Sequence, residues 1–143
     1  MMKKRILFLT IALAGIFMTS CTSRQPGETA DTAATLPESE IIVYYFHNQR
    51  RCATCEAVEA ETKAALEKYY PEALGNGKIA FVSLNMEEAS GARIADQFDI
   101  AAQSLIVVHG EEIRDITSEG FLYARTTPGK LHDAVKNAID PML

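Results

Sequence analysis

The stretch Ile41–Glu56, IIVYYFHNQRRCATCE, decides the fold. Ile41 to Phe46 is a continuous β-branched and aromatic run, the pattern of a strand buried on both faces. The polar segment His47 to Arg51 breaks it. From Cys52 to Tyr70 the pattern turns helical: Val58, Thr62, Ala65, Leu66 and Tyr69 share one face, and Glu59–Lys63 and Lys63–Glu67 pair at i,i+4 on the other. A buried strand that runs into a helix opened by Cys52-Ala53-Thr54-Cys55 is the context in which a CxxC reads as a redox pair.

Outward from this unit the chain alternates. Pro71 and the Gly75-Asn76-Gly77 turn close the helix, and Lys78 to Leu84 (KIAFVSL) predicts a second buried strand. Ala89 to Phe98 is a short helix with Ile94 and Phe98 toward the core. Leu105 to Val108 is a third strand, turned by His109-Gly110 into a fourth, Ile113 to Ile116. Gly120 to Arg125 (GFLYAR) reads as a loop, and Thr127 to Ile139 is the closing helix, with Pro128 in its first turn and Leu131, Val135 and Ile139 as its apolar stripe. Strand–helix alternation implies right-handed parallel crossovers, and the short hairpin implies one antiparallel pair. The expected class is α/β: a central mixed four-stranded sheet with helices on both faces.

The 143-residue chain suits one domain, placed at residues 40–143. Before it, Met1 to Arg5 is basic and Ile6 to Met18 is apolar, too short to span a bilayer of about 30 Å but suited to an export signal at residues 1–20. Thr19 and Ser20 then precede Cys21, which resembles a bacterial lipoprotein signal, with Met18 where that pattern usually has an aliphatic residue. The resemblance implies a lipidated Cys21 and a cell-envelope location, exported and lipid-anchored to a membrane. Thr22 to Ser39 has one large apolar residue, Leu36, and reads as a tether of about 25 Å root-mean-square span. With Lys3, Lys4 and Arg5 removed, 11 basic residues face 19 acidic ones, a net charge near −8. Such a surface repels phosphate backbones, so no nucleic-acid partner is expected.

Cys52 at a helix N-terminus gains from the unpaired N–H groups and the helix dipole, which favour a thiolate. Arg50 and Arg51 add positive charge beside it, and Cys55, one turn on, is placed to resolve a mixed disulfide. Two other readings of the CxxC stand beside this one. Half a zinc site would need further ligands from His47, His109 or His132. A structural disulfide closing so short a loop would remove little chain entropy.

The residues Ile41 to Phe46, the CATC pair, FVSLNMEE (Phe81 to Glu88) and Asp96 to Ile100 together resemble the thioredoxin fold, over about Ile41 to Ile139. HNQRRCATCEAVEAETKAAL with EGFLYARTTPGKL is similar, more closely, to a small bacterial thioredoxin-like family named for a nitrophenyl-compound nitroreductase subunit. The resemblance implies that Tyr45 stands where thioredoxin has a buried aspartate, Ser104 where it has a cis-proline, and Arg51 where it has a tryptophan. Without the acid, Glu56, Glu59 or a water would take the Cys55 proton. Without the proline, metal binding is less discouraged.

The expected function is therefore that of a membrane-tethered thiol–disulfide exchange protein. Cys52 and Cys55 are its catalytic pair, and Arg51, Glu56, His47 and Ser104 are modulating residues. Its partners would be protein thiols or disulfides, or a membrane electron donor. No organic cofactor is expected, since no phosphate loop or dinucleotide fingerprint is present, and no dedicated metal set is assigned. The alternatives are a module holding a soft metal through Cys52, Cys55 and His47, and a non-catalytic electron-transfer or interaction subunit of the same fold. Tyr123 and Arg125 could meet a partner beside the pair, or Phe121, Leu122 and Tyr123 could simply pack as core.

Overall fold

The computed structural model describes residues 36–143. Cys21, the signal segment and most of the tether lie outside the described residues. The elements are β1 (Ile41–His47), α1 (Ala53–Tyr69), α2 (Pro71–Gly75), β2 (Ile79–Asn85), α3 (Ala89–Gln97), β3 (Ser104–His109), β4 (Glu112–Asp115), α4 (Thr117–Tyr123) and α5 (Pro128–Ile139), then a 3-10 turn, Asp140–Met142. The sheet order is β2-β1-β3-β4. β1 pairs parallel with β2 and antiparallel with β3, and β3 pairs antiparallel with β4. This is the mixed four-stranded α/β sheet that the sequence implies.

β1 is central because its side chains suit both layers. Ile41, Val43 and Tyr45 point into one apolar cluster with Val58, Ala65 and Leu66 of α1 and Leu131, Val135, Ala138 and Ile139 of α5. Tyr44 and Phe46 point the other way, onto Ile94 and Ala95 of α3. Burying each such large side chain is worth about 1.5–3 kcal/mol, so β1 anchors both layers at once. The α1 face foreseen from the spacing is the buried one: Val58, Thr62, Ala65 and Leu66 are all buried, and the Thr62 hydroxyl is satisfied by the Val58 carbonyl at 2.7 Å.

Three local expectations differ from the structure. β2 is an edge strand, buried only at Ile79 and Leu84. An apolar run does not reveal whether a second neighbour will pair with it, and Phe81 is half-covered by Lys63, whose Nζ lies 5.3 Å from the ring centroid. His109 belongs to β3, opposite Glu112. The turn is Gly110-Glu111, with Gly110 at φ +58, a conformation that favours glycine. The segment read as a loop is largely helix α4. Thr117 starts it: its N–H donates to Asp115 Oδ1 at 2.8 Å, and its hydroxyl accepts the Leu105 N–H at 2.9 Å. Gly120 lets this helix approach, since a Cβ there would sit 3.4 Å from both Leu105 and Val58 side chains.

α3 rests on the end of β2 at a glycine. A Cβ on Gly91 would lie 2.0 Å from the Asn85 carbonyl oxygen. That contact fixes the turn after β2, and the turn in turn holds the segment after β1. Met86 N–H donates to the His47 carbonyl at 2.8 Å, and Gln49 N–H donates to Glu87 Oε1 at 3.0 Å. The two cysteines follow directly from this clamped segment.

Candidate redox site

Cys52 is the N-cap of α1. Its backbone is extended (φ −91°, ψ 163°), and its Sγ accepts the Cys55 N–H at 3.3 Å. A cap position normally takes a side-chain oxygen from Ser, Thr, Asp or Asn; here sulfur occupies it, exposed to solvent. The neighbouring Cys55 thiol and then the Cys55 N–H, which donates to this sulfur, hold Cys52 below the usual cysteine range. Cys55 is buried, 3% exposed. Burial pushes its thiol up, and the neighbouring Cys52 sulfur pushes the same way. One turn of helix thus carries an accessible sulfur that favours the thiolate and a covered one that favours the thiol.

The surroundings of Cys55 divide between its carbonyl and its sulfur. Below the carbonyl, the Tyr45 hydroxyl donates to Cys55 O at 3.0 Å. Tyr45 is fully buried, and burial first, then the nearby Cys55 sulfur, pushes its phenol up to about 12. Arg51 Nη2 donates to the same carbonyl at 3.3 Å. On the sulfur side, Cys55 Sγ donates to Gln103 Oε1 at 3.2 Å.

Arg51 does not spend its charge on Cys52. It turns along α1, where Nη1 pairs with Glu59 Oε2 at 2.5 Å and its guanidinium lies 5.5 Å from the Tyr45 ring centroid. Glu59 also takes Lys63 Nζ at 2.6 Å and the Ser83 hydroxyl at 3.2 Å. Burial raises the Glu59 carboxyl, but Lys63 and Arg51 more than offset this and hold it below the usual range. A carboxylate so paired is a poor proton acceptor for Cys55. Glu56 is exposed on a shallow groove with Arg51, Glu59, Ala60 and Lys63, and its backbone N–H donates to Cys52 O at 3.0 Å.

His47 ends β1 with Nδ1–H donating to the Asn48 carbonyl at 2.9 Å and its ring 5.7 Å from that of Tyr45. His109 pairs with Ile41 at the opposite end of β1, and His132 Nε2 meets Glu61 Oε2 at 2.9 Å between α1 and α5. Among the described residues, no three His, Cys, Asp or Glu side chains are grouped to hold a metal ion. Ser104 opens β3, and its hydroxyl donates to the Ala102 carbonyl at 2.9 Å. The side chain this loop sends to the thiols is that of Gln103, which sequence reasoning missed. The resemblance drew attention to the proline position, and no local pattern marks the residue before it. Tyr123 and Arg125 lie on α4 and just past it; Phe121 and Tyr123 pack on the core while Leu122 is 63% exposed.

No protein-family model matches the chain, and no curated protein is similar to it in sequence. Solved structures similar to it include a malarial protein (14% identity, TM-score 0.45, 71% of this chain and 99% of that one). Mitochondrial thioredoxin 3 from Saccharomyces cerevisiae, in its oxidized form, shares 16% identity at TM-score 0.47, over 71% of this chain and 81% of that one. Trxlp from Edwardsiella tarda EIB202 shares 18% identity at TM-score 0.46, over 69% and 84%.

Proposed function

We propose that the protein is a thiol–disulfide exchange protein of the cell envelope, tethered to a membrane through a lipidated Cys21. The observation that supports the exchange chemistry is the asymmetry of the pair: Cys52 exposed, capping α1 and favoured as thiolate; Cys55 buried and favoured as thiol. Cys52 thiolate attacks a partner disulfide, forming a Cys52–partner bond and releasing one partner sulfur. Cys55 then loses its proton and attacks Cys52 Sγ, so that the Cys52–Cys55 bond forms and the second partner sulfur leaves, taking up a proton. The chain is oxidised and the partner reduced by two electrons. The reverse sequence oxidises a dithiol.

Partners on this reading are protein thiols or disulfides, or a membrane electron donor. A separate flavin-bearing protein would have to supply or receive electrons in any reduction of nitro compounds. The tethering part rests on the sequence of residues 1–39; no helix among the described residues is long and apolar enough to cross a membrane. The test is capture. Cys55→Ser should accumulate mixed disulfides through Cys52 in cells, resolved by reductant, while Cys52→Ser captures nothing. Absence of any captured partner, together with stoichiometric zinc or copper lost on Cys52→Ser, would replace exchange with metal binding.

A further inference from the structure

Cys55 has one proton and two acceptors within reach, the Cys52 sulfur and Gln103 Oε1. Once Cys52 is tied up in a mixed disulfide it is no longer a thiolate, and the Gln103 amide is the neutral polar side chain that remains at the Cys55 sulfur. Of the two nearby carboxylates on α1, Glu59 is already held by Arg51, Lys63 and Ser83, and Glu56 is exposed. Tyr45 and Arg51 address the Cys55 carbonyl, not its sulfur. A buried thiol that must become a nucleophile needs a partner in both protonation states, and an amide can serve both, because it presents an acceptor at one end and donors at the other. A charge-assisted bond to the thiolate is also stronger than the neutral bond it replaces.

Building on the exchange reading above, we propose that Gln103 is the positioning residue of the resolving step. Its Oε1 accepts from the Cys55 thiol at rest, and its amide turns to donate Nε2–H to the Cys55 thiolate as that attacks the Cys52 sulfur. The proton leaves to water, the Cys52–Cys55 bond forms, and the partner sulfur departs with the electron pair of the broken bond. Gln103 takes no proton and touches no reacting atom of the partner. It sits immediately before β3, at the loop facing α1, so its backbone is set by the Ser104–Phe46 pairing at the end of β1.

The test uses the full chain carrying Cys21→Ser, with 5,5′-dithiobis(2-nitrobenzoate) as the disulfide. Attack by Cys52 releases one coloured thiolate, and resolution by Cys55 releases a second, so the two steps are read separately. In Gln103→Met, which has similar length but no amide, the first release should stay within about twofold of the parent and the second should slow by about tenfold or more. Gln103→Glu keeps an acceptor but repels a thiolate, so it should slow the second release as well. A second release at the parent rate in both variants, or one accelerated in Gln103→Glu, would overturn the role of the amide. So would equal slowing of both releases, the mark of a structural defect. If the parent itself gives no second release, the exchange reading falls and this proposal falls with it.

Discussion

Helix α1 meets a tyrosine hydroxyl at each end, and the two ends are built differently. At the N-terminal end, Tyr45 donates to the Cys55 carbonyl from within the core, while the sulfur of the cap residue faces solvent with a backbone N–H as its partner. At the C-terminal end, Tyr70 donates to Asp140 Oδ1 at 2.6 Å and to the Lys136 carbonyl at 3.3 Å, and Lys136 closes the arrangement by pairing with Asp140. Burial, then the Asp140 hydrogen bond, raises the Tyr70 phenol, and Lys136 and Tyr70 together hold the Asp140 carboxyl down. One end is a latch that ties α1 to α5 with its groups matched. The other leaves a sulfur acceptor uncovered where the helix dipole favours negative charge. Stability is lodged at the first end and reactivity at the second.

If that division holds, substitutions at the two ends have opposite signatures. The largest effect belongs to Cys52→Ser, which should abolish disulfide exchange. Serine is among the preferred N-caps, so the thermal midpoint should not fall; a scanning calorimetry trace with a lowered midpoint would show that the sulfur is a structural cap. Tyr70→Phe is the converse case. It should lower the midpoint by roughly 2–6 °C and leave exchange kinetics unchanged; a loss of exchange would show that the latch reaches the thiols.

A smaller effect is expected from Tyr45→Phe, at about 1 kcal/mol in denaturant unfolding, because Arg51 still serves the Cys55 carbonyl. The pH profile sharpens this case. With its phenol raised to about 12, protonated Tyr45 contributes stability that is fully present below its unfolded value near 10 and is lost as pH rises through about 12. The phenylalanine variant should lack that part of the alkaline decline. An unchanged decline between pH 10 and 12 would assign it to other groups.

The fold was legible where a pattern speaks for itself. The run Ile41 to Phe46 reads as a doubly covered strand, and the spacing of Leu131, Val135 and Ile139 reads as the stripe of α5, because both depend on which side chains a single element must bury. What failed depended on a second element. The edge position of β2 is decided by sheet order, and α4 was hidden by Gly120, which looks like a break until Val58 and Leu105 are packed against it. The close seat of Gly91 on Asn85 is equally silent in sequence. At the site, the pair Cys52 and Cys55 and its place at the start of a helix were readable. The diversion of Arg51 to Glu59 was not, since it requires the guanidinium to run back along α1, and neither was Gln103, which reaches Cys55 across a gap of 48 residues in the chain.

The central claim, that one helical turn separates a thiolate from a thiol, is tested most directly by alkylating the reduced full-length protein across a pH series and assigning each modified cysteine by mass. Cys52 should show its half-maximal rate below the ordinary cysteine value of about 8.5, and Cys55 should show it above that value. Two thiols titrating together at the ordinary value, or Cys55 reacting first, would contradict it.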